Sequence, residues 1–101
     1  MNKFSLDNRT AIITGGAQGF GLAMTERFLR SGANVIIWDF DKLAVEKTKK
    51  KLNNSKLSSS IIDVTNFDQV SSQVKKLTKD KKIDIFINNA AIAGQNTTVW
   101  D

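Results

Sequence analysis

Four short apolar runs divide the chain, at residues 10–14, 34–39, 59–64 and 83–88, and a stretch of helical periodicity follows each of the first three. Runs of this length are too short to bury as helices but ordinary for strands. The first two, Thr10-Ala11-Ile12-Ile13-Thr14 and Asn34-Val35-Ile36-Ile37-Trp38-Asp39, are apolar without alternation, the pattern of strands covered on both faces. Strands separated by helices do not pair through hairpins. They lie parallel and are joined by right-handed crossovers. The order β-α-β-α-β-α-β thus predicts an α/β protein with a doubly wound parallel sheet, about four strands and three helices.

Each helical stretch carries its own start and stop signals. Between Gly21 and Ser31, Leu22, Met24, Phe28 and Leu29 share a broad face opposite Glu26, Arg27 and Arg30, and Gly32 ends the segment. Asp41 is a suitable N-cap for a second helix, in which Leu43, Ala44, Val45, Thr48 and Leu52 line one face before Asn53-Asn54-Ser55 stops it. Thr65 or Asn66 caps a third, with Phe67, Val70, Val74 and Leu77 spaced by three and four. The chain holds no proline, repeat or linker, and residues 1–101 are expected to form a single domain. Three helices are few for a sheet covered on both faces. The fourth strand is therefore expected to leave one flank unpaired and apolar surface exposed, as in a chain that ends early.

Composition removes several classes of function. No run reaches 18 apolar residues, which excludes a membrane-spanning helix, and the first residues lack the apolar centre of a signal peptide, so a cytoplasmic location is expected. With no Cys and no His, disulfides and thiolate metal sites are excluded and the commonest zinc ligand and general base are missing. The net charge of +5 is unevenly placed, for residues 42–82 hold eleven Lys and four acids. A polyanion-binding stripe and two solvated helix faces both fit such a segment. Because these lysines fall between apolar positions and are not interleaved with arginine and aromatics, the solvated faces are the reading adopted. Neither a nucleic acid nor a membrane is an expected partner.

The chemistry concentrates in Thr14-Gly15-Gly16-Ala17-Gln18-Gly19-Phe20-Gly21, between the first strand and the first helix. A helix start offers unbonded N–H donors and the positive end of a dipole, which suit a pyrophosphate. Gly15 permits the tight turn, Gly19 the close approach of a phosphate, and Gly21 the packing of helix against strand. The spacing differs from a Walker A loop, since Leu22 and Ala23 stand where Lys and Ser/Thr are required. A plain strand–helix turn remains the alternative. Asp39, at the end of the second strand, suits a ribose diol and would repel a 2′-phosphate, favouring NAD over NADP; Lys42 lies close enough in sequence to blur that preference. Asp63 and the Val64 N–H suit an adenine edge. Asp39 and Asp63 also read as turn acids ahead of the Asp41 and Thr65 caps.

Thr14 to Gly21, Asp39, Asp63-Val64 and Asn88-Asn89-Ala90-Ala91 together resemble the short-chain dehydrogenase/reductase family, most closely its 3-oxoacyl-acyl carrier protein reductase-like branch. The resemblance covers essentially the whole chain and implies a Rossmann-type domain. It implies a dinucleotide cofactor, NAD ahead of NADP, held by Gly15, Gln18, Gly19, Phe20, Gly21, Asp39, Asp63, Val64, Asn88 and Ala90. For the complete enzyme it implies hydride transfer to or from a small carbonyl or alcohol substrate, and a dimer or tetramer. Two departures stand out: Ala91 replaces the motif glycine and Phe20 the commoner isoleucine. The family's catalytic Ser and Tyr-x-x-x-Lys lie farther along than residue 101, and the chain contains no Tyr. No catalytic residue is therefore assigned, and the 101 residues are expected to be inactive alone. A stand-alone nucleotide-binding or interaction module is the alternative.

Overall fold

A computed structural model describes residues 5–80 and 82–89. The elements are β1 (Thr10–Thr14), α1 (Gly19–Arg30), β2 (Asn34–Asp39), α2 (Lys42–Leu52), β3 (Leu57–Ile61), α3 (Phe67–Asp80) and β4 (Ile85–Ile87). All strand pairs are parallel, in the order β3-β2-β1-β4. The chain thus steps outward from β1 through β2 to β3, then returns along α3 to set β4 against the other side of β1. This is the expected Rossmann-type arrangement, with its change of direction between β1 and β4.

Side chains alternate across a strand, so neighbouring residues of β1 and β2 serve two separate cores. Ile13, Val35, Ile37 and Leu57 face α1 and α2, with Met24, Phe28, Leu29, Ala44 and Leu52 packed around them. Ile12, Ile36 and Trp38 face the other side, where Ile62 joins them and Val70 and Leu77 of α3 close over. This division separates the lysines too. Lys47, Lys49, Lys50 and Lys51 lie on α2, and Lys75, Lys76 and Lys79 on α3, covering opposite faces of the sheet. They make no continuous basic stripe, and Lys49 to Lys51 sit in the last turn of α2, where the helix dipole favours cations.

The differences from expectation lie at element ends. Strand β3 covers residues 57–61 rather than 59–64, because Leu57 is buried opposite Val35, while Asp63 turns the chain by accepting from Thr65. Ser58 to Ser60 are tolerated because β3 borders only β2. Strand β4 covers residues 85–87 rather than 83–88. Just ahead of it, Asp84 takes over the pairing: its Oδ2 accepts from the Thr10 N–H at 2.9 Å and its own N–H donates to the Thr10 carbonyl at 2.9 Å. Helix α1 begins at Gly19, two residues early. Leu43 and Phe67, expected on core faces, are each 78% exposed. Both occupy first turns, which overhang the strand tips.

Among the described residues β4 pairs with β1 alone, and Phe86 is 47% exposed, edge-on to Trp38 with ring centroids 5.6 Å apart. Trp38 itself is wholly buried, and its indole N–H has no partner among the described residues. No described helix is long and apolar enough to cross a membrane. The two cores differ from the surface in how they tolerate truncation. Ile13→Ala, at a fully buried β1 position, is expected to cost about 2–5 kcal/mol in urea unfolding, whereas Ile61→Ala at the half-exposed end of β3 costs about 1 kcal/mol or less.

Candidate functional site

The turn after β1 is held from three directions. The Thr14 hydroxyl donates to Asn88 Oδ1 at 3.1 Å, joining the tips of β1 and β4. Each of the next three carbonyls accepts from a different element. Gly15 O takes Asn89 Nδ2 at 3.4 Å, Gly16 O takes the Thr25 hydroxyl at 3.1 Å, and Ala17 O takes the Thr48 hydroxyl at 3.0 Å. Thr25 and Thr48 are buried on α1 and α2. The Gly15 N–H donates to the Trp38 carbonyl at 2.8 Å, fastening the turn to β2. The carbonyls of the turn are thereby drawn inward.

The opposite side of the turn is left with donors. Gln18, the N-cap of α1, makes no side-chain cap bond, and the first turn of the helix contains no acid. The N–H groups of Gly19, Phe20 and Gly21 donate to nothing among the described residues. By contrast, Asp41 Oδ1 caps α2 by accepting from the Ala44 N–H at 3.1 Å, and Asn66 Oδ1 caps α3 by accepting from the Gln69 N–H at 3.1 Å. An uncapped helix start is a concentration of partial positive charge with unsatisfied donors.

Backbone geometry explains the glycines. Gly15 and Gly19 have φ of 65° and 54°, in the left-handed region that costs other residues about 1–2 kcal/mol. Among the described residues nothing lies within 4 Å of where a Cβ on Gly19 would stand, so the space over the helix start is open to them. A Cβ on Gly21 would collide with the Gly15 carbonyl and lie 2.8 Å from Asn89 Nδ2. Gly21 thus lets α1 close against the turn, while Gly19 leaves room outside it. Gly16 is also tightly surrounded, by Ile37, Thr25 and the Ile13 carbonyl.

The acids stand at the neighbouring strand tips, on the edge that gathers the C-terminal ends of all four parallel strands. Asp39 ends β2, is 7% exposed, and accepts from the Asp41 N–H at 3.1 Å through Oδ1. Gln18 Nε2 reaches Asp41 Oδ2 at 3.5 Å, linking the turn to the start of α2. Asp63 is exposed, and Oδ1 accepts both the N–H of Thr65 at 2.9 Å and its hydroxyl at 2.6 Å. These bonds, the hydroxyl first, hold its carboxyl below the ordinary aspartate range. The Asp63 N–H donates to Gln69 Oε1 at 3.0 Å, whereas the Val64 N–H donates to no described group. Asp63 therefore does act as a turn acid, with Oδ2 outside that turn. Phe20, in the first turn of α1, is 76% exposed. Ala90 and Ala91 lie outside the described residues.

Three contributors were absent from the residues expected to build this site. Thr25 interrupts an otherwise apolar helix face, midway between Leu22 and Phe28, and that interruption was its only signal. Thr48 was expected on a core face, but nothing in its spacing points to Ala17. Asn89 lies within the quoted Asn88-Asn89 pair, yet its reach to Gly15 depends on β4 lying beside β1. Among the described residues no group of three His, Cys, Asp or Glu is arranged to hold a metal.

Residues 9–100 match the model of the short chain dehydrogenase family. The chain is 40% identical over 91 residues to the 3-oxoacyl-[acyl-carrier-protein] reductase FabG of Chlamydia muridarum, a match covering 86% of this chain and 37% of that protein. Among solved structures, it resembles the 3-ketoacyl-(acyl-carrier-protein) reductase of Brucella melitensis complexed with NADH, with a TM-score of 0.72 and 34% identity over 81% of this chain and 34% of that one. It is also similar to RhlG of Pseudomonas aeruginosa in its NADP active-site complex, with a TM-score of 0.73, 27% identity and coverage of 82% and 33%. The chain spans about a third of the length of these relatives.

Two substitutions probe this geometry. Gly21→Ala drives a methyl group into the Gly15 carbonyl and is expected to lower stability by about 1–3 kcal/mol in urea unfolding. Thr65→Val removes the hydroxyl that lowers the Asp63 pKa, so the Asp63 carboxyl should titrate at higher pH by NMR. The sign for stability follows: a carboxylate depressed in the folded state stabilises above its unfolded pKa, and that contribution is lost as pH falls through the lowered folded value. Thr65→Val should weaken this acid dependence.

Proposed function

The chain belongs to the short chain dehydrogenase family, and on that premise we propose that its glycine turn and adjoining strand tips hold NAD. The N–H groups at the start of α1, with Gly15, Gly19 and Gly21 clearing the approach, take the pyrophosphate, and Gln18 and Phe20 flank it. Asp39 accepts from the adenosine ribose diol. Asp63, through Oδ2, and the Val64 N–H meet the adenine edge, and Asn88 lies near the second ribose. When bound, NAD supplies a nicotinamide that accepts or donates a hydride. The role of these residues is to bind and orient that group.

One observation carries the reading. Of the three helices among the described residues, α1 alone begins without a side-chain cap, and its unbonded N–H groups border the open space over Gly19. A doubly negative pyrophosphate satisfies both the donors and the dipole. Two acids near the ribose position favour NAD over NADP. For the complete enzyme we propose hydride transfer between nicotinamide and a carbonyl or alcohol, with a 3-oxoacyl-like substrate. The 101 residues contain no Tyr, His or Cys to move the substrate proton, so binding without turnover is the expected behaviour of this chain.

Calorimetry of the chain with NAD⁺ tests the site. Gly19→Val should abolish detectable binding, and Asp39→Ala should weaken NAD⁺ by about tenfold or more while sparing NADP⁺. Unchanged NAD⁺ affinity in Gly19→Val would overturn the phosphate assignment. Carbonyl-dependent oxidation of NADH by the purified chain would overturn the assignment of binding alone.

A further inference from the structure

We propose that the groove between the C-terminal ends of α1 and α2 docks an acidic segment of a partner protein, with one apolar side chain seated between carboxylates. The groove has a volume of about 240 Å³ and is lined by Glu26, Leu29 and Arg30 of α1, Leu52 of α2 and Asn54 just after it. Both helices start near the strand tips and run back across the sheet, so the groove lies at the edge opposite the glycine turn. Bonds within the two closing turns fix its end. Arg27 Nη1 donates to the Ser31 hydroxyl at 2.9 Å, Lys56 Nζ to the Gly32 carbonyl at 3.2 Å, and the Lys56 N–H to Asn54 Oδ1 at 2.8 Å. A surface held in this way loses little freedom on binding.

Size and charge select the occupant. Small-molecule sites hold roughly 300–1,000 Å³, so the smaller volume here suits a single side chain. Leu29 and Leu52, both partly buried, make the floor apolar. Around it stand Arg27 and Arg30 in the last turn of α1, Lys49, Lys50 and Lys51 in the last turn of α2, and Lys56 beyond. All six are exposed, and among the described residues none is ion-paired, with Glu26, Glu46 or any other acid. The two helix ends bring roughly half a negative charge each, which together with Glu26 still leaves an excess of about four positive charges. That excess repels a second copy of this chain, whose net charge is +5. A nucleic acid would answer the charge, but it has no side chain for the apolar floor, and Glu26 in the wall opposes a phosphate there. An acidic protein segment with an apolar residue answers both.

An NMR titration of the 101-residue chain tests this with two capped peptides, one of alternating Asp and Glu around a central leucine, the other with serine in place of that leucine. The leucine peptide should shift the amide signals of Leu29, Arg30, Leu52 and Asn54, and bind about tenfold more tightly than the serine peptide. Its affinity should fall by about threefold or more at about 0.5 M salt, where exposed charges are screened. Arg30→Glu reverses an exposed charge on the rim and should weaken binding about tenfold, with the amide signals of β1 and β2 unchanged. Equal binding of the two peptides overturns the proposal, as do equal shifts at Lys75, Lys76 and Lys79 of α3, because charge alone would then act. A DNA duplex that moves the four groove signals at lower concentration than the leucine peptide overturns it in favour of a nucleic acid. Concentration-dependent dimerisation that moves them without peptide overturns it in favour of a second copy. No shift with the leucine peptide at about 1 mM overturns it outright.

Discussion

The site depends on where three consecutive carbonyls point. Gly15, Gly16 and Ala17 each give their oxygen to a side chain from a different element, Asn89 after β4, Thr25 on α1 and Thr48 on α2. A peptide unit presents its carbonyl and the next residue's N–H in opposite directions, so fixing these oxygens inward turns the N–H groups of Gly16, Ala17 and Gln18 outward, just ahead of the unbonded N–H groups that open α1. The cost of leaving those donors unbonded falls if water or an anion reaches them. The open space beside Gly19 provides that access, and the lack of a Cβ on Gly21 lets the helix start lie close to the Gly15 carbonyl. Backbone direction, more than any charged side chain, gives this helix start its positive character.

A parallel sheet does the rest of the assembly. Each strand of the β-α-β units ends on the same edge, so residues far apart in sequence arrive together: the glycine turn from β1, Asp39 from β2, Asp63 and Val64 after β3, and Asn88 and Asn89 after β4. The crossover that carries β4 to the other side of β1 leaves a crevice at that edge. Membership of the short chain dehydrogenase family accounts for these features appearing together. Asp39 and Asp41 lie close to the glycine turn at this edge, and among the described residues no lysine pairs with either.

Much of this was legible in one dimension. The apolar runs point to all four strands, and β1 and β2 match residue for residue because a strand buried on both faces must be apolar throughout. Asp41 and Asn66 announce two helix starts because their side chains are the local partners of the first N–H groups. The ends of β3 and β4 were less legible. There, pairing depends on neighbours: Leu57 joins its strand because Val35 lies opposite, and Asp84 replaces a ladder bond because Thr10 is across from it. Leu43 and Phe67 follow the apolar spacing of their helices but overhang the sheet, which periodicity alone does not register.

By itself, then, the order of residues determined the alternation of strands and helices, the glycine turn and the acids at the strand tips, since each follows from local sterics, spacing and capping. Tertiary structure decided what those parts face. Only the packed sheet brings Thr25, Thr48 and Asn89 to the carbonyls of the turn, sends the lysines of α2 and α3 to opposite faces, and sets Gln18 against Asp41. These are contacts between residues up to 74 positions apart, and long-range hydrogen bonds and charges exist only once the chain has closed the distance between them.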